Sequence, residues 1–486
     1  MGRLCRRLLL AGAVGTALVA GGLVWAGSSG PGPGAGLAAG QPAVLRLKPL
    51  VRTLFSAPVP KPPTERFCMA SYGTLCYGPP QIQAAYNELP LFRQGLSGRG
   101  ETIVIVDSFG APEIRQDLAV FDRAYGLAPP PAFTISRYGP VPPYTPTIPT
   151  VTSWAEETTL DVEWSHAIAP GAKILLVETA TAETVGVTGF PTIVNAENYV
   201  INHRLGDVIS QSFGAGEATF SAPSTLLTLR SAYENAYRSG ITVLAAAGDS
   251  GPTQPETATS ARYFPFRDIG WPASDPLVTA VGGTQLTLNT RGRPIAPVRV
   301  WNDTRLNGSP AASSGGLSTV FTRPSYQAGV AGVVGARRGV PDISMSASIS
   351  GAVNIYISLP GSAGWLPIGG TSEATPLFAG IVAIADQLNT HHPLGLIDPA
   401  LYAMKAAHDP GIVSVTAGTT SVYFTTSAKK VTTTVDGFSA AAGYNLASGL
   451  GTVTAASFVH ELVQAVHQVG TVVTYGDSPT TFLPVT

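Results

Sequence analysis

Residues 241–251 read "ITVLAAAGDSG". Ile241, Thr242, Val243 and Leu244, followed by three alanines, make an unbroken apolar run of strand length closed by turn residues. That is the pattern of a parallel strand covered on both faces. Asp249 stands at its mouth, between Gly248 and Ser250. Gly-Asp-Ser-Gly is ordinary turn chemistry, so the carboxylate gains meaning only from its surroundings. Similar strand-like runs occur in "GETIVIVDSFG" (100–110), "AKILLVE" (172–178) and "DVISQSFG" (207–214). Between them lie helical patterns: "APEIRQDLAVFDRAYGL", a segment starting near Ser153, and "STLLTLRSAYENAYRSG". Apolar strands alternating with helices predict an α/β fold with a doubly wound, mainly parallel sheet and helices on both faces. Ligands and chemistry collect at the carboxyl ends of such strands. Asp107, Ser212 and Asp249 all fall there.

The composition narrows the class. Of 486 residues only 12% are charged and the formal net charge is -1, so neither nucleic acid nor an anionic membrane surface is an expected partner. Arg3, Arg6 and Arg7 precede an apolar stretch from Leu8 to Gly27, with Val24-Trp25-Ala26 suited to a signal peptidase. Residues 1–26 are therefore expected to be a signal peptide and the protein extracellular, with a membrane anchor over residues 8–27 as the alternative. Residues 27–67 are expected to be a Gly/Pro-rich linker and 471–486 a tail, leaving 68–470 for the folded domain. Cys5 lies in the targeting segment, so Cys68 and Cys76 are expected to form one disulfide; two thiols without nearby histidines make a poor zinc site.

Two stretches carry chemistry. In "SWAEETTLDVEW" (153–164), Ser153 and Glu156 have the spacing of a capping box, which predicts a helix starting there. Glu157 and Asp161 are four apart, on one helix face. Like charges so placed repel when both ionise, but two carboxyls can share a proton. The bland reading is a solvated acidic face. In "IGGTSEATPLFAGIVAIADQ" (368–387), a Gly-Gly-Thr turn presents Ser372 at the start of an apolar helix, with Pro376 expected in the first turn. Ser372 reads either as an N-cap or as a nucleophile, and a nucleophilic serine needs a base. Among the seven histidines, His166 is the one near the expected active edge.

"GGTSEATPLFAG" resembles the serine segment of the subtilisin clan, and "AIAPGAKILLVE" and "VLAAAGDSG" resemble that clan's strands. Asp249 stands where a subtilisin carries its oxyanion-hole asparagine, and Glu157 and Asp161 replace a histidine helix. This is the pattern of the sedolisins, the serine-carboxyl peptidases. "IVDSFGAPEIRQDLAVFD", "VTAVGGTQL", "SSGGLSTVF" and "RGVPDIS" add to the resemblance, which spans roughly residues 75 to 470. It implies a subtilisin-like fold, Ser372 as nucleophile, Glu157 as base, Asp161 as the carboxyl that shares its proton, and Asp249 as oxyanion-hole acid. A neutral carboxylic acid donates a hydrogen bond to an oxyanion, whereas a carboxylate repels it. The enzyme is therefore expected to act in acid on polypeptides, as a monomer. Segments 210–217 and 313–318 resemble those that flank an extended peptide, with Ser212, Phe213, Gly214, Gly315 and Gly316 as backbone contacts.

Two departures stand out. Sedolisins usually carry a C-terminal calcium site. Here the matching positions hold Ser414 and Asn445 in place of carboxylates and Ala441 in place of a glycine. Val415, Ala441 and Gly443 could offer only carbonyls, so bound calcium is not expected. Asp436 is the one nearby acid that could compensate. The family also implies a large propeptide, and the segment between position 26 and the first family-like strand is too short for one. Two competing readings remain: a conventional serine hydrolase with His166 as base, and a non-catalytic secreted or surface-anchored binding protein on the same scaffold.

Overall fold

The computed structural model describes residues 52–53, 58–183, 187–256, 262–426 and 431–469. The expected signal peptide, most of the linker and the tail lie outside these. Among the described residues no helix is long and apolar enough to cross a membrane.

The run that opens the sequence becomes the strand Thr242–Ala246, buried throughout. It lies in a sheet whose order is Arg299–Val300, Thr279–Gln285, Thr242–Ala246, Val208–Gln211, Thr102–Ser108, Lys173–Thr179, Phe133–Tyr138, with Ile343–Ser346 also paired to Thr279–Gln285. All pairings are parallel except that of the short edge strand Arg299–Val300. From Thr102–Ser108 the chain goes first to the edge strand Phe133–Tyr138 and returns through Lys173–Thr179. It then crosses to Val208–Gln211 and winds outward through Thr242–Ala246 and Thr279–Gln285, the doubly wound α/β arrangement expected. Apolar side chains fill both faces: Ile103, Ile105 and Leu176 on one, Val104, Val106 and Val177 on the other. Strands covered on both sides need no polar alternation, and the sequence runs show none.

Two helices set the site. Pro149–Ile168 is buried along nearly its whole length, with every residue from Glu157 to Ile168 hidden. Thr371–Leu388 packs against it and is buried from Thr371 to Asp386. Gly380 permits the close approach: a Cβ there would lie 2.7 Å from the Ile168 side chain.

Several expectations need correction. The first helix starts at Pro149, not Ser153, because proline at the first helical position loses no hydrogen bond and has a helix-ready φ. Ser153 then sits inside the helix and its hydroxyl donates to the Pro149 carbonyl at 3.0 Å. Pro376 lies in the second turn of its helix, not the first, so the Ser372 carbonyl loses its usual donor. The segment around "STLLTLRSAYENAYRSG" divides into Pro223–Leu227 and Ser231–Ser239. Arg230, at the break, is bound bidentate to Asp275 at 2.6 and 2.9 Å. Part of the expected linker is structured. Arg52–Thr53 pairs with Ser362–Gly369, and Val59 exchanges backbone hydrogen bonds with Trp365. Flanking Pro58 and Pro60 favour the extended form, which suits a sheet edge. A Thr64-capped helix, Glu65–Tyr72, follows. Its Cys68 is bonded to Cys76, with Cα atoms 6.0 Å apart.

Candidate active site

The parallel sheet delivers three side chains at its carboxyl end. Asp107 comes from the end of Thr102–Ser108, Ser212 follows Val208–Gln211, and Asp249 follows Thr242–Ala246. The turn before Asp249 needs its glycine: Gly248 has φ 115, and a Cβ there would meet Ser314 Oγ at 2.9 Å. The helix Pro149–Ile168 adds Glu157 and Asp161, and Thr371–Leu388 adds Ser372 as its second residue. Asp107, Glu157, Asp161, Asp249 and Ser372 are all buried.

Hydrogen bonds tie the three sources together. The Thr371 N–H and hydroxyl both donate to Asp249 Oδ1, at 2.8 and 2.9 Å. The Gly248 N–H donates to Thr371 Oγ1 at 3.0 Å. Thr371 therefore locks the acid-bearing turn to the start of the serine helix. On the other side, the Ser212 hydroxyl donates to Asp161 Oδ1 at 3.0 Å, with the Ser372 carbonyl at 3.5 Å as a weaker second acceptor. That carbonyl is the one released by Pro376.

The acids are electrically coupled. Burial pushes Glu157 well above the usual carboxylate range, and Asp161, Asp107 and Asp249 push it further. Burial and then Asp107 do the same to Asp161, against the Ser212 hydroxyl. Burial raises Asp107 to about 7, with Thr158 pulling down and Glu178 pushing up. Among the described residues no lysine, arginine or histidine forms an ion pair with Asp107, Glu157 or Asp161. Buried carboxyls with no cation resist ionising, so Glu157 and Asp161 cannot both carry charge and the pair keeps at least one proton. The Ser372 hydroxyl is near enough to Glu157 to favour its ionised form, although neither completes a hydrogen bond of normal geometry. Such contacts commonly tighten only when substrate is bound.

The pair Glu157 and Asp161 is thus buried, with Glu157 beside Ser372, and is not a solvated acidic face. His166 is nine residues past Glu157, roughly 180° around the helix. Its Nε2 lies 2.9 Å from the Ala128 carbonyl and 3.3 Å from Asp122. Sequence reasoning placed Asp107 at a strand end without a role; its signal, a carboxylate closing a buried strand, was the one that marked Asp249. Ser212 was read as a backbone contact, whereas its side chain serves Asp161.

The remaining expected contacts scatter. Phe213 is core, packed against Trp154 and Phe190 at 6.4 Å between ring centres. Gly214 is half-buried, while Gly315 and Gly316 are buried. A Cβ on Gly315 would strike the Leu446 carbonyl at 2.0 Å, so the 441–451 loop backs this segment directly. Segment 312–314 in turn pins the Asp249 turn: the Ser314 N–H donates to the Gly248 carbonyl at 2.9 Å and the Ala312 N–H to the Asp249 carbonyl at 3.0 Å. At the calcium-site positions, Asn445 Nδ2 donates to the Ala441 carbonyl at 2.9 Å and Lys405 Nζ to Ser414 Oγ at 2.7 Å. Val415 is buried, Gly443 is half-buried and Asp436 is exposed. This donor set does not fit calcium, which favours charged oxygen ligands and is repelled by an ammonium.

Comparison with known proteins agrees with this geometry. The Subtilase family matches residues 151–407, more than half of the chain. Kumamolisin from Bacillus sp. (strain MN-32) is 32% identical over 343 residues, covering 68% of this chain and 56% of kumamolisin. Sedolisin from Pseudomonas sp. (strain 101) is 32% identical over 296 residues, covering 60% and 47%. The chain thus spans about half the length of these curated relatives. The structure of Pseudomonas sedolisin, a serine-carboxyl proteinase complexed with two molecules of pseudo-iodotyrostatin, superposes with a TM-score of 0.66 at 25% identity, covering 82% of this chain and 99% of that one. The chain belongs to the subtilase family, and within it to the sedolisins.

Proposed function

We propose that this protein is an exported, monomeric serine-carboxyl endopeptidase that hydrolyses polypeptides in acid. One observation carries the reading: Ser372 adjoins a buried, cation-free carboxyl pair on one side, while Asp249 is hydrogen-bonded to the residue before it on the other. Ser372 Oγ attacks the peptide carbonyl carbon and its proton passes to Glu157. Glu157 can take it because the pair Glu157 and Asp161 holds one proton between them: with that proton on Asp161, Glu157 starts as the carboxylate. The oxyanion accepts a hydrogen bond from protonated Asp249, and the Ser372 N–H, without an intrahelical acceptor in the first turn, is the second donor. Collapse of the intermediate breaks the C–N bond, Glu157 returns the proton to the departing amine, and an acyl-enzyme remains for water to cleave. The arrangement works only while Asp249 holds its proton, so activity falls as pH rises.

The test is cleavage of an unfolded protein across about pH 3 to 8 by the wild type and Ser372→Ala. Cleavage confined to acid and absent from the variant is expected. A neutral optimum, or no cleavage at any pH by folded protein, would overturn the reading; the second outcome would favour a binding protein on this scaffold.

A further inference from the structure

The 441–451 loop backs Gly315, and through segment 312–314 it supports the Asp249 turn, so what holds that loop matters to the site. It is held by its own side chains. Asn445 Oδ1 accepts the N–H groups of Ala447 and Ser448 at 3.1 and 3.0 Å and the Ser448 hydroxyl at 3.2 Å. Its Nδ2 occupies the Ala441 carbonyl, and its backbone exchanges both hydrogen bonds with Gly449. The facing strand Ile412–Val413 pairs with Thr452–Val453 and runs into Ser414. Val415 and Ala447 share a small apolar cluster, which brings the two stretches together. Lys405 reaches this junction from the helix Asp398–Ala407. Its half-buried ammonium donates to Ser414 Oγ at 2.7 Å, the short distance of a charge-assisted bond.

We propose that the Lys405 ammonium is the resident cation of this junction, standing in for a bound metal, so that the C-terminal loop is folded without calcium. Two of the oxygens a metal would use are already accepting. Ser414 Oγ faces an ammonium and the Ala441 carbonyl faces an amide, both donors that a cation would have to displace. The proposal stands apart from the proteolytic reading, because it concerns folding and is measured without substrate.

Thermal unfolding of the full chain tests it, in calcium and in chelator. The wild type is expected to keep the same Tm in both, and a lower Tm in chelator would overturn the proposal. Lys405→Met, which keeps the stem and removes the charge, is expected to lower Tm by roughly 2–5 °C. An unchanged Tm would overturn it. The K405M/S414D/N445D variant exchanges the built-in cation for two carboxylates, and it is expected to gain a Tm rise on adding calcium. If it gains none, the junction is not a cation position and the proposal fails.

Discussion

Asp342, just before the strand Ile343–Ser346, and Asp161, on the helix Pro149–Ile168, are both fully buried acids, but they are kept there differently. Asp342 receives both terminal nitrogens of the buried Arg338, the Ala280 N–H at 2.8 Å and the Tyr402 hydroxyl at 2.9 Å. Burial alone would pull the Arg338 guanidinium down; Asp342 more than reverses this and holds it well above its ordinary value. Asp161 has a serine hydroxyl and other acids around it, and burial holds it well above the carboxylate range. The first acid is neutralised by a fixed cation and braces the strands; the second is neutralised by a proton that can leave. Fixed charge gives rigidity, and a removable proton gives chemistry at the cost of sensitivity to pH.

The largest expected effects lie on the proton side. Ser372→Ala should reduce kcat by a factor on the order of 10⁴–10⁶ with the fold intact, read as rate against an unchanged Tm. Glu157→Gln should cost about 10²–10⁴ in rate, because an amide cannot take the serine proton. It should leave stability equal or higher at neutral pH, since it removes a buried acid that must be kept neutral. A variant that kept its rate would remove Glu157 from the mechanism.

The cation side should behave in reverse. Arg338→Met strands Asp342 in the core and should cost about 3–5 kcal/mol in denaturant unfolding. Adding Asp342→Asn should recover part of that loss, because the amide needs no counter-charge. If Arg338→Met were harmless, the contrast between the two acids would collapse.

What was legible in the sequence follows the same division. The strands, the serine helix and the pair Glu157 and Asp161 were readable because apolar runs and i,i+4 spacing are local facts. The start of the first helix was misread at Ser153 because Pro149, four residues earlier, offered a better beginning. The hydroxyl of Ser212 on Asp161 and the ammonium of Lys405 on Ser414 join elements through the fold, and nothing in either stretch announces its partner. Asp107 lay between: its position was visible, but its role required seeing Asp161 beside it.

Stability against pH tests the comparison on the whole molecule. Burial raises Glu88, Glu157, Asp161, Glu163, Glu183, Glu197 and Glu373 well above the usual range, and Asp107 to about 7. An acid whose folded pKa exceeds its unfolded value near 4 binds its proton more tightly when folded. Its contribution is complete below about pH 4 and is lost as pH rises toward and through the folded pKa. Tm should therefore be higher near pH 4 than near pH 7, and a Tm that climbed over that interval would contradict the proton-neutralised picture.

The smallest effect is the most local. Ser212→Ala removes the hydroxyl that donates to Asp161 and should cost about 0.5–1.5 kcal/mol of stability. The hydroxyl favours ionised Asp161, so its loss should hold Asp161 protonated to higher pH. If Asp161 shares its proton with Glu157, the acid limb of the rate profile should then move upward in pH, with little change in KM. Ser212→Thr, which keeps the hydroxyl, should restore the wild-type limb. A merely structural Ser212 would lower Tm in the alanine variant and leave the pH profile where it was, and that outcome would separate bracing from proton control at this one side chain.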